Sequence, residues 1–137
     1  MKIKINIFYL IVGILSVLFA FTHTWNGLEN SLNTLNNCAM DSRTKTVFTY
    51  IWHIIGIENL VFGIALIIMA FIKNRESAKF AAWVIIALLI ARLVIIASFT
   101  LMNGESGFID LLVDSIAMIV VIALLYLGTR QKNMQQD

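Results

Sequence analysis

Four long apolar blocks, free of proline and divided by short polar stretches, constrain this chain more than any motif in it. They run from about Ile5 to Gly27, Val47 to Ile72, Phe80 to Met102 and Phe108 to Gly128. Each holds the roughly 20 residues needed to cross about 30 Å of hydrocarbon at about 1.5 Å per residue. Lipid offers no partner to an unpaired backbone amide or carbonyl, so blocks this long and this evenly apolar are helices and not barrel strands. With 60% hydrophobic and only 13% charged side chains among 137 residues, a water-soluble fold is close to excluded. The fold class expected is all-α: a polytopic membrane protein, a single domain over 1–137, with four transmembrane helices in an antiparallel bundle.

Basic residues resist translocation, so their placement sets the direction of insertion. Lys2, Lys4, Lys73, Arg75, Lys79, Arg130 and Lys132 flank the spans on one side, and only Arg43 and Lys45 flank them on the other. That bias predicts cytoplasmic termini, an outer loop over 28–46 and an outer turn over 103–107, in an inner or plasma membrane. The stretch Phe19-Ala20-Phe21-Thr22 makes a poor cleavage site, so the first span is read as retained. In the outer loop Leu28, Leu32 and Leu35 recur at helical spacing, which predicts either a short interfacial helix or an extension of the first span. The single cysteine, Cys38, cannot form an internal disulfide. There is no glycine-rich phosphate loop, no CxxC pair, no HExxH and no basic amphipathic segment, so nothing points to nucleotide, zinc-protease or nucleic-acid chemistry.

Small and polar residues mark the faces that pack, because small ones let backbones approach and polar ones find partners only inside a bundle. On the first span Asn6, Tyr9, Gly13, Ser16, Ala20, His23, Thr24 and Gly27 fall in one sector. On the second, Gly56, Asn59 and Gly63 share a side, with Glu58 about 200° around from Gly56 at about 100° per residue. The third span has Ala87 and Ala91 beside Arg92, and the fourth has Asp110, Asp114, Ala117, Val121, Leu124 and Gly128. A second span with polar groups on two sides is consistent with a homodimer or a partner membrane protein contacting it, besides the lipid itself.

Glu58 and Arg92 fall near the middle of their spans, and Asp114 about 9 Å below the outer end of the last. A charged group at the bilayer centre costs roughly 2.5–3.5 kcal/mol, so all three are expected to face protein or water. Two carboxylates and one guanidinium leave one acid to share a proton with His53 or His23. The expected pocket therefore holds Glu58, Arg92, Asp114, His53, His23 and Asn59, opens outward and handles protons. The structural alternative is that a buried Arg–Glu pair only fixes helix register, and that Asp110 only favours a helix start. A further alternative uses His23 and His53 as ligands of a haem or of a transition metal with Asp114, or as part of a quinone site.

The stretch Gly56-Ile57-Glu58-Asn59-Leu60-Val61-Phe62-Gly63-Ile64-Ala65-Leu66, in a chain of this size with four spans, resembles the second helix of DoxX-like small membrane proteins. The resemblance carries over Glu58 and Gly63, covers little beyond that helix and the architecture, and implies a four-helix bundle, in some members associated with quinone or thiosulfate redox partners. The leading expectation is non-enzymatic: an accessory subunit, or a proton-linked carrier of a small solute, with a membrane redox component as the second class.

Overall fold

The computed structural model describes residues 5–102 and 108–131. Among them every regular element is helical: α1 (Ile7–Asn26), a five-residue π turn (Gly27–Ser31), α2 (Leu32–Asn37), α3 (Ser42–Phe71), α4 (Arg75–Met102) and α5 (Phe108–Arg130). Four helical stretches, Ile7–Asn37, Ser42–Phe71, Arg75–Met102 and Leu112–Arg130, are long and apolar enough to cross a membrane. The expected turn over 103–107 and the basic residues Lys2, Lys4 and Lys132 lie outside the described residues.

The helices outrun their apolar stretches. Most of the segment read as an outer loop, 28–46, is helical, and only residues 38–41 separate α2 from α3. Asparagine is a poor helix former, yet here it bonds along the helix: Asn30 Nδ2 donates to Asn26 Oδ1 at 2.6 Å, and Asn37 Nδ2 to the Asn33 carbonyl at 3.0 Å. Of the two expectations for Leu28, Leu32 and Leu35, the continuation of the first span is the one observed, with Leu32 buried and Leu28 exposed. The continuation passes through the π turn, where the Leu32 amide bonds the Gly27 carbonyl five residues back.

Three helices start on a side-chain cap of the residue just before them, each accepting an amide of the first turn. Asn6 Oδ1 accepts from the Tyr9 amide at 3.3 Å, Asp41 Oδ1 from Thr44 at 3.0 Å, and Asn74 Oδ1 from Ser77 at 3.2 Å.

The chain groups into two compact units, one of residues 13–67 and the other of the chain up to Val12 and from Ile68 onward. In the first, α1 and α3 meet along glycines. A methyl built on Gly63 would stand 2.8 Å from the Gly13 carbonyl oxygen and 2.9 Å from the Val17 amide nitrogen, so only a hydrogen fits. In the second, Asn6 joins three helix ends: its amide donates to the Ala70 carbonyl at 2.9 Å, and its Nδ2 to the Gly128 carbonyl at 2.9 Å. Tyr9, 1% exposed, lays its ring over Gly128. Trp83 of α4 meets Tyr126 of α5 edge to face at 6.0 Å, and the Arg130 guanidinium lies over the same ring at 5.6 Å.

The expected stripe of α1 is the buried or half-buried one, from Asn6 through Gly27. So is Gly56-Asn59-Gly63 of α3. Two faces differ from expectation. On α4 the buried residues are Ala78, Ala82, Ile85, Ile86 and Leu89, whereas Ala87 and Ala91 are exposed. Among the described side chains of α5, burial is confined to the last turns, at Leu125, Gly128 and Thr129, whereas Asp114 and Ala117 are exposed; Asp110 lies outside them. Both helices carry apolar residues all round, so a pair of alanines or a lone acid gives no contrast by which to orient them.

Candidate functional site

The two histidines have different surroundings although both belong to the unit of residues 13–67. The imidazole of His23 stacks on the Trp52 indole, with centroids 4.5 Å apart and planes 8° from parallel, and Phe19 lies at 5.6 Å from it. Its Nε2 lies 3.3 Å from the Trp52 carbonyl oxygen, and since a carbonyl only accepts, Nε2 carries the proton there. Trp52 Nε1 donates in return to the His23 carbonyl at 3.1 Å. Gly27 leaves room for this indole: a methyl there would stand 2.6 Å from Trp52 Cδ1.

His53 lies about 100° further round α3 and lines an open depression of about 470 Å³. Ser42, Thr46, Thr49, Tyr50 and His53 form one wall, and Lys45 and Asn36 complete it. The wall is one helical stripe, its members spaced by four, three, one and three residues, so they share a face for the same reason an apolar stripe does. The Thr46 and Thr49 hydroxyls donate back to the Ser42 and Lys45 carbonyls at 3.0 and 2.9 Å, which leaves their oxygens as acceptors. Lys45 Nζ donates to the Asn36 carbonyl at 2.7 Å, joining α3 to the end of α2. Asp41, the nearest acid in sequence, is turned to its cap: the Thr44 hydroxyl and then the Thr44 amide hold its carboxyl below the usual range.

Of the residues expected to form the pocket, only His53 lines this depression. Asn59 is buried on the α3 side that carries the two glycines, and its Nδ2 donates to the Ile55 carbonyl at 2.6 Å. Glu58 is half-buried, is not without a partner, and sits about 140° round α3 from His53 at about 100° per residue. Arg92 and Asp114 belong to the other unit, where Arg92 is half-buried and likewise partnered, and Asp114 is exposed. Among the described residues no three His, Cys, Asp or Glu side chains group as metal ligands, and ligation through Nε2 of His23 would cost its bond to Trp52.

Reading the residues one by one missed Ser42, Lys45, Thr46, Thr49 and Tyr50. The signal is present, because a hydroxyl-rich stripe at helical spacing leads into His53, but an apolar boundary at Val47 cuts the stripe in two.

Comparison with protein-family models, with curated proteins and with solved structures gives no match to this chain.

Proposed function

We propose that this chain is a small multi-pass protein of the inner or plasma membrane, non-enzymatic, that carries a small polar solute through the His53 depression with a linked proton. The observation behind the reading is the depression itself, in which the His53 imidazole joins a wall of hydroxyls at the α2–α3 junction. A histidine ring nitrogen can accept a proton and give it back, so a solute resting against it can be taken up or released with one. The seven-to-two bias of flanking basic residues supports cytoplasmic termini and an antiparallel bundle whose α2–α3 junction faces outward. Glu58, an intramembrane ionisable group of the same helix as His53, belongs to the same proposal as a station for the proton further along. The resemblance to DoxX-like proteins rests on Glu58 and Gly63 and bears on the architecture, not the solute.

The test is proton movement in vesicles holding the purified chain and a trapped pH-sensitive dye. After an external acid step, wild type should acidify the lumen faster than protein-free vesicles, and His53→Gln and Glu58→Gln should each remove most of the difference while still inserting. Wild-type vesicles that behave like protein-free ones would sink the carrier reading.

A further inference from the structure

The chemistry of the depression specifies more than a polar solute. Its lining carries one full positive charge, on Lys45, and no carboxylate. The ammonium is held at the wall by the Asn36 carbonyl, which occupies one of its three N–H donors and leaves two directed elsewhere. Asp41, four residues earlier, is committed to Thr44 and does not line the wall. Ser42 and Tyr50 offer hydroxyl protons, and neither makes a side-chain hydrogen bond among the described residues. Acceptors in this lining come mainly from Thr46 and Thr49, whose hydroxyl protons are already spent on the helix.

From these groups we infer that the depression binds a phosphate group, with Lys45 as its counter-charge and the hydroxyls of Ser42 and Tyr50 as further donors. Lysine is a compact point charge suited to phosphate, and neighbouring hydroxyls complete the donor set without a second cation. The threonine oxygens then receive donors from the group esterified to that phosphate, such as a glycerol or ethanolamine moiety. The wall begins ahead of the apolar stretch of α3 and continues into it, and Phe48, Ile51 and Ile54 are exposed on the same helix. The same phosphate chemistry is available from a water-soluble phosphate ester and from a phospholipid headgroup in the adjoining leaflet. The inference rests on the proposal that this depression is the solute site, and its test is separable from the proton assay.

Full-length protein in a phosphate-free sugar detergent is compared with Lys45→Gln, and with Lys79→Gln as a charge-matched control, since Lys79 is paired with Glu76 at 3.1 Å. Two probes are used: glycerol 3-phosphate, read by the thermal unfolding midpoint, and phosphatidylglycerol, read by retention in native mass spectrometry. Either probe binding wild type supports the assignment; the first identifies a soluble ester and the second a lipid headgroup. Lys45→Gln should weaken that binding by about tenfold or more, the scale of one charge-assisted hydrogen bond, with Lys79→Gln unchanged. Binding of neither probe, or equal loss in both variants, overturns the phosphate assignment. Should that happen while His53→Gln still abolishes proton movement, the carrier reading stands and only its ligand is wrong.

Discussion

His23 and Trp52 each bond the other's backbone: the indole N–H donates to the His23 carbonyl at 3.1 Å, and the imidazole reaches the Trp52 carbonyl at 3.3 Å. The rings between these two bonds are stacked at 4.5 Å. One residue of α1 and one of α3 are thereby held in fixed register, and this histidine is a packing element while the other faces a depression. Trp52→Phe keeps an aromatic ring but removes the donor, and should lower stability in detergent by about 1–3 kcal/mol. Each bond ends on a backbone carbonyl that survives substitution of the residue bearing it, so a double-mutant cycle with His23→Phe reads only the ring stacking. Unchanged stability of Trp52→Phe would mean that the indole bond does not operate.

Gly13 and Gly63 bring α1 and α3 to backbone contact, where a methyl on either residue would meet main-chain atoms that cannot turn aside. Gly63→Ala should therefore destabilise by about 1–3 kcal/mol through overpacking, less the roughly 1 kcal/mol that alanine gains in helix preference. Ala91→Leu, on an exposed face of α4, should leave the unfolding midpoint unchanged.

Asn6 caps α1 and donates to the last turn of α5. Replacement by alanine removes the cap and leaves the Gly128 carbonyl short of a buried donor, at a cost of about 1–3 kcal/mol in thermal or denaturant unfolding. Asn6→Asp keeps the acceptor but not the donor, so it should fail to restore stability.

Asp41 supplies a pH dependence of known sign. Its folded carboxyl is held below its ordinary value of 3.8 by Thr44, so the stability it contributes is present above that value and is lost as pH falls through the lowered one. Between about pH 5 and about pH 2, wild type should lose more stability than Asp41→Asn, which caps the helix without titrating. Identical acid profiles for the two proteins would show that the cap does not form.

Cys38 is the single thiol of the chain and is exposed in the segment between α2 and α3. It should react with a membrane-impermeant maleimide added to intact cells. Reaction only after lysis would reverse the proposed direction of insertion.

What the residues disclosed, and what they hid, follows from contrast. On α1 the small and polar side chains stand out against Ile, Leu, Val and Phe, so the packed stripe from Asn6 to Gly27 could be read directly. The Gly56-Asn59-Gly63 side of α3 was legible for the same reason. On α4 the packed face holds isoleucine, leucine and alanine, and so does the exposed face, which is why Ala87 and Ala91 misled. Asp114 was expected inside because charge avoids lipid, yet among the described side chains of α5 the burial is concentrated in the last turns, where Gly128 admits the ring of Tyr9. The candidate depression was half legible: His53 stands out in the sequence, but its companions lie partly ahead of the apolar boundary, where hydrophobicity stops being a guide. The π turn left no mark at all, since Gly27–Ser31 holds residues that any helix end would accept.

The bond from Asn6 to Gly128 links residues separated by 122 positions. During translation the donor emerges long before its acceptor, and every intervening segment must be synthesised before the two can meet. Ribosome-bound intermediates stalled anywhere ahead of Gly128 hold the Asn6 amide without that acceptor, and quality-control proteases would encounter them in a form the finished chain has closed.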